Sequence, residues 1–370
     1  MRRRSAIVLA AAAVFATVLP AVRAQQQDGP PPPPNLYTLH VYTNLMQFPT
    51  VVLGPDLKPI PPVPREKFDI TLDGGPVFHP TKMRIEGDDP ISLAVLLDAG
   101  GEQSGVLRAF AQSFPQLLPG SLHPDDRISI YAVDCTVMRS LKDVPAVDPA
   151  LIAQGIANAL AAPRLHGKKT RPSCGYDLRL WDAMTLIAQD LGHSPSRRVL
   201  LVVSQGRENG SKTRFGAAAE YLSSMGVGVF GLRDDQEYAR ETTFAQYGSP
   251  VRRGSNVTLI GSYDEDLFAA MCAENGGMVL DASNPGVATD LQHLIDLLRG
   301  RYIIEYPRPE DKKAAIHTVD IAIDGVKAFI RLTGGSAPIP DPAIANDPNT
   351  LPSTPSPAKV GNRRRIGPRS

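Results

Sequence analysis

The chain has few cysteines, almost no net charge and, past its first two dozen residues, no long apolar run. Its three cysteines, Cys135, Cys174 and Cys272, form no Cys-x-x-Cys pair and no Cys/His cluster, which excludes the usual zinc frameworks. An odd number leaves either one pair and a free thiol or no pair at all. A net charge of +1 gives no global electrostatic footprint for nucleic acid. No stretch of the remaining chain reaches the roughly 20 apolar residues that a membrane-spanning helix requires. The phosphate-cradling patterns are also missing. Gly100-Gly101 fits neither GxGxxG nor GxxxxGK[ST], and no lysine follows.

What is present begins with an export signature. Arg2, Arg3 and Arg4 precede an apolar run from Ala6 to Leu19, then Pro20, then Val22-Arg23-Ala24 at a small-residue cleavage position. This predicts a secretory signal peptide over 1–24, hence a secreted or periplasmic protein. Residues 25–35 carry five consecutive prolines and read as a stiff polyproline linker. Residues 336–370, rich in Pro, Asn and Ser and basic at Arg363-Arg364-Arg365, read as a disordered tail.

Between these ends, apolar strand-like runs alternate with helical periodicity. ISLAVLL (91–97), RISIYAV (127–133), RVLLVV (198–203), GVGVFGL (226–232) and MVL (278–280) are the strands. Helices are predicted over 105–118, 149–161, 178–191, 215–225, 264–275 and 287–298. This order implies an α/β, Rossmann-like doubly wound, mostly parallel sheet over 91–299. The flanks 36–90 and 300–335 alternate with period two instead and are expected to pair as a small β-sandwich. Asp324-Gly325 signals a hairpin between 316–323 and 328–332. In such a sheet, ligands bind at the carboxyl ends of the strands, which here means Asp98 and Ser204-Gln205-Gly206.

The segments ISLAVLLDAGG, LRLWDAM, RRVLLVVSQGRENGSK, AENGGMVLDA and LRGRYIIEYPRP, with the lead-in KFDITLDG, resemble in order and spacing the von Willebrand factor type A (VWA) superfamily. More closely, they are similar to its VWFA-related acidobacterial domain family, over nearly all of Leu36 to Leu332. The resemblance implies a protein-binding domain whose rim carries a metal-ion-dependent adhesion site, usually holding Mg²⁺. Carried over by position, Asp98 matches the first ligand of that site. Its two serines become Gly100 and Glu102, its threonine falls on Leu178 and its second aspartate on Gln205, after Ser204. Glycine and leucine offer no side-chain oxygen and a glutamine amide is a neutral donor, so the site reads as degenerate and no cofactor is expected. An alternative retains a cation on Asp98 and Glu102, with Asp177 able to slip into the vacant place.

Trp181, at the rim end of a helix, is either a contact residue or a cap on the core beneath the loop. In the resembled fold Cys135 and Cys174 lie near one rim, which makes them a disulfide candidate if their Cα atoms approach within about 7 Å. Cys272 reads as a buried free thiol. The polar stretch Arg233 to Gly261 is long enough to suggest a partner-specific loop. A third reading, from another class, is a hydrolase built on Ser104, whose surroundings narrowly miss a nucleophile elbow. The reading adopted is a secreted interaction module with no catalytic residues, whose partner is a protein.

Overall fold

The computed structural model describes residues 40–41, 45–99, 105–134, 136–165, 178–236, 238, 266–282, 286–309, 317–335, 350–351 and 355–361. Its centre is a six-stranded sheet. The strands are β5 (Ile91–Asp98), β6 (Arg127–Val133), β7 (Val137–Pro145), β8 (Arg197–Val203), β9 (Val227–Arg233) and β10 (Val279–Asp281), in the order β10-β9-β8-β5-β6-β7. All pairings are parallel except β6–β7 at one edge. Five strands coincide with the apolar runs read from the sequence. β7 was not foreseen, because VMRSLKDVP is polar and half-exposed and its pairing with β6 shifts register.

The apolar continuity of β5 follows from burial on both faces. Leu93, Val95 and Leu97 pack with α1 (Gly105–Ser121), α2 (Pro149–Leu165) and the last helix, α6 (Val287–Arg299). Ala94 and Leu96 face α3 (Leu180–Leu191), α4 (Phe215–Ser224) and α5 (Leu267–Glu274). A strand with helices on both sides has no polar face to show. The chain leaves β5 in one direction for β6 and returns on the other side at β8. The switch point of the sheet therefore lies between the carboxyl ends of β5 and β8.

The flanks interleave. β2 (Leu45–Leu53) lies between β11 (Tyr302–Pro307) and β13 (Phe329–Leu332), and β4 (Lys82–Ile85) adds to β11. β3 (Phe68–Leu72) pairs with β12 (Val319–Ile323) in a second small sheet. A short pair joins β1 (His40–Val41) to β14 (Thr350–Leu351). The sandwich is thus shared between the two ends of the chain, as its alternation predicts. Its core holds Phe48 stacked on Tyr306 at 5.3 Å and Phe68 against Tyr302 at 5.5 Å. The two tyrosines of YIIEYP stand four residues apart on one strand, so both point into this core.

Two expectations need correction. The Asp324-Gly325 turn forms, with Gly325 at φ 71°, but β12 and β13 do not pair with each other. The turn carries the chain from one sheet to the other. A turn signal reports the local reversal and not the partner of each strand. The stretch 355–361, read as part of a disordered tail, lies against β3, with Ala358 buried in the sandwich core.

The sandwich is fastened to the α/β layer by two arginines on either side of Gly300. Arg301 and Glu86 are fully buried and meet through Nε–Oε2 at 2.6 Å and Nη2–Oε1 at 2.8 Å. Arg299 donates to the carbonyls of Gly87 and Asp89 and to the buried Asp126 carboxylate, which also accepts from the Ile91 amide at 2.9 Å. Entry into β5 and exit from α6 are therefore locked together. On the far side of the sheet, the Gly276-Gly277 signature has a steric cause. A Cβ on Gly277 would sit 1.9 Å from the Val229 carbonyl, and one on Gly276 2.3 Å from the Thr333 amide.

Breaking the buried pair from one side strands a charge. Arg301→Met is expected to cost about 3–5 kcal/mol in urea unfolding, and the double change Glu86→Leu with Arg301→Met distinctly less. Equal losses would show that the pair is not coupled.

Candidate functional site

The rim at the switch point is built from the ends of β5 and β8. Asp98 closes β5, and the next amide, Ala99 N–H, bonds to the Val133 carbonyl at 2.8 Å, which holds the turn against β6. Opposite it, Ser204 follows β8. Its buried hydroxyl donates to Asp98 Oδ2 at 2.7 Å and accepts from the Gly206 amide at 2.9 Å. The Asp98 carboxylate is thus engaged by the neighbouring loop, in the manner of a strand-end residue tying down the segment behind it. Gln205 is half-buried beside it.

The loop from 204 to 213 is fixed to the start of α3. Leu178 and Asn209 exchange backbone bonds of 3.0 and 2.9 Å. The Glu208 carboxylate accepts from the amides of Leu180 (2.7 Å), Trp181 (3.0 Å) and Ser211 (2.7 Å) and from the Ser211 hydroxyl (2.8 Å). The first amides of a helix have no partner within it, and a carboxylate there also complements the helix dipole. Asp182, in the first turn, reciprocates by accepting from the amides of Lys212 (3.0 Å) and Thr213 (2.9 Å). Partial burial opposes ionisation of Asp182, but these bonds outweigh it and hold the carboxyl below its usual range. Loop and helix therefore clasp each other through two acids that sequence reasoning did not single out. Their nearest signal is the run RENGSK, where an acid precedes Asn-Gly-Ser.

Leu178, assigned to the rim, is not presented there, and Trp181 takes the second of its two readings, a cap on the core. Leu178 and Trp181 are buried in the core on the α3 side, Trp181 edge-on to Phe215 at 5.9 Å. The Glu208 clasp holds the helix start through its backbone, while both side chains face the core. Gly100, Glu102, Ser104, Cys135, Cys174 and Asp177 lie outside the described residues. At the ligand positions that are described, the chain offers the Asp98 carboxylate, the Ser204 hydroxyl that bonds to it, a buried leucine and a glutamine. Of these, only the Asp98 carboxylate is a charged oxygen donor of the kind a magnesium ion prefers. Among the described residues no group of three or more His, Cys, Asp or Glu side chains is placed to hold a metal. Cys272 is buried and free, and burial pushes its thiol well above the ordinary range.

A second node lies at the rim end of β9. Arg233 is buried, and it donates through Nε to Asp235 at 2.8 Å and through Nη1 to Asp266 at 2.6 Å, while stacking on Tyr238 at 4.0 Å. Burial works against its charge, but the two carboxylates more than restore it. Asp266 also caps α5 by accepting from the Ala269 amide. Arg233 thereby ties Asp235 to Asp266; residues 239–265 between them lie outside the described residues. A cavity of about 700 Å³ opens at the other end of the sheet, near Ser92, Arg127, Tyr131 and His193. It is remote from these loops.

The mostly parallel central sheet with helices on both faces is a doubly wound α/β fold, the class expected from the sequence. No family model matches the chain, and no curated protein is significantly similar to it. Among solved structures, proximal thread matrix protein 1 from the mussel byssus is similar over 58% of this chain, at 13% identity and TM-score 0.38. This chain covers 49% of that protein's length. An aerotolerance-related membrane protein from Bacteroides fragilis is similar over 56% of this chain and 98% of its own, at 15% identity and TM-score 0.37. The SpRpn10 VWA domain is similar over 55% of this chain and 94% of its own, at 9% identity and TM-score 0.35. Among the described residues no helix is long and apolar enough to cross a membrane.

The clasp predicts a pH signature. A carboxyl whose pKa is depressed by folding contributes stability above its unfolded pKa, about 3.9, and loses it as pH falls through the folded value. Asp182→Asn should therefore lower the urea midpoint at neutral pH, with the gap to wild type closing below about pH 4. A gap independent of pH would remove Asp182 from the clasp.

Proposed function

We propose that the chain is a secreted or periplasmic docking module of VWA-like fold that binds a protein partner through its rim without a bound cation, and that it is not an enzyme. The observation that carries this reading is the Ser204–Asp98 bond. In a cation-dependent rim, the aspartate at this position would face the ion. Here its carboxylate is engaged by the loop after β8, and that loop is secured by Glu208 and Asp182. Bonds of this kind give the described part of the rim a defined shape, which supports a preorganised docking surface. The N-terminal signal pattern supports export. The Arg233 node, which links Asp235 to Asp266 at the same rim, supports the stretch Arg233 to Gly261, beyond Tyr238, as the partner-specific element. Segments so anchored carry recognition on a rigid scaffold.

The test is capture from envelope extract with the full chain, in parallel with a variant whose residues 239–265 are replaced by a short Gly-Ser linker. The same protein should be retained with and without EDTA, and lost with the linker variant. Release by the chelator, reversed by added Mg²⁺, would contradict the reading.

A further inference from the structure

At the sandwich, remote from the rim, β3 has two edges. One pairs with β12. The other is taken at Ile70 by Phe78, through bonds of 2.9 and 3.0 Å, and at Leu72 by Val360, in parallel. The segment 356–361 alternates as a strand does. Ser356, Ala358 and Val360 turn inward, whereas Pro357 and Lys359 are exposed. Ala358 and Val360 join the sandwich core, the Ser356 hydroxyl donates to the Pro307 carbonyl, and the Gly361 amide donates to the Leu72 carbonyl at 2.9 Å.

The seat is shaped for this segment. A Cβ on Gly75 would stand 2.4 Å from the Lys359 carbonyl and 2.8 Å from the Gly361 amide, against 3.0 Å from its nearest neighbour within the sandwich. A Cβ on Gly361 would in turn stand 2.4 Å from the Asp73 carbonyl. Close backbone approach from both sides, with pockets for alternate side chains, is how an extended peptide adds to a sheet edge. The side chains so placed are Ser356, Ala358 and Val360, followed by Gly361.

We infer that the end of this second edge of β3, from Leu72 to Gly75, is a peptide-binding site, and that the chain's own residues 356–361 are its resident occupant. The occupant belongs to the same chain as the sandwich strands and follows the β1–β14 pair, so binding is intramolecular. Added peptide then competes poorly until the chain is cut. The site stands apart from the rim and from any reading of it.

The experiment places a specific protease site between Leu351 and Pro352 and cuts the folded full-length protein. Rebinding of a labelled synthetic peptide of residues 352–370 is then followed by fluorescence anisotropy. Saturable rebinding to the cut body is expected, with little uptake by the uncut chain. Val360→Asp in the peptide and Gly75→Val in the body should each weaken it by about tenfold or more. Failure of the peptide to rebind to a folded body, or binding indifferent to both changes, overturns the inference. Should the inserted site prevent folding, hydrogen exchange on the wild-type chain decides. The Gly361 amide should be slowed by roughly a hundredfold and the Gly75→Val chain should lose that protection; exchange at the unstructured rate in wild type overturns it.

Discussion

A carboxylate at the tip of a strand buried on both faces has to be satisfied, by water, by a cation or by the chain itself. Here Ser204 engages one Asp98 oxygen with its hydroxyl and passes the connection on to the Gly206 amide. Everything at the rim follows from that engagement. With β5 and β8 joined at their tips, the outgoing loop runs to Asn209, which pairs with Leu178, and to Glu208, which caps α3. Hydrogen bonds to a charged group contribute about 1.5–3 kcal/mol each in favourable settings. A rim assembled from several of them is preorganised before any partner arrives. On the proposed reading, a serine and a glutamate do the positioning that a cation does in an adhesion site.

The other end of the molecule obeys a different constraint. Arg299 and Arg301 lock the first residues before β5 to the last residues of α6, so the flanking strands cannot separate from the sheet without exposing or stranding a charge. Such pairs add little net stability compared with apolar residues, but they penalise any other arrangement. The sandwich is in this way held in one register while the loops at the opposite end remain free to differ. On the proposed reading, scaffold and recognition are separated along the strand axis.

The fold was largely legible because burial on both faces leaves a continuous apolar signature, as in ISLAVLL and RVLLVV. What escaped were elements lacking that signature. β4 is a four-residue edge strand, KMRI, mostly exposed, and β7 is polar with a register shift. The Asp324-Gly325 turn was read correctly as a turn and wrongly as a hairpin, since local sequence carries no information on which sheet each arm joins. At the site, Asp98 and Ser204 were legible from their places after two strands. Leu178 was assigned to the rim by its position in the resemblance and is instead buried, Trp181 proved to be the cap on the core that its apolar bulk allowed, and the clasp on their helix depends on Glu208, some thirty positions away in the chain. Arg301 was invisible for the opposite reason. A charged residue reads as surface until its partner, Glu86, is found across the fold.

The central claim is that the Asp98 oxygens answer to the chain's own groups and not to a metal. Crystals soaked in Mn²⁺, with anomalous diffraction recorded, address it most directly. The account predicts no anomalous peak within coordinating distance of Asp98, with the Ser204 hydroxyl still in contact with its carboxylate. An octahedral peak on Asp98, with Ser204 displaced or itself a ligand, would contradict it.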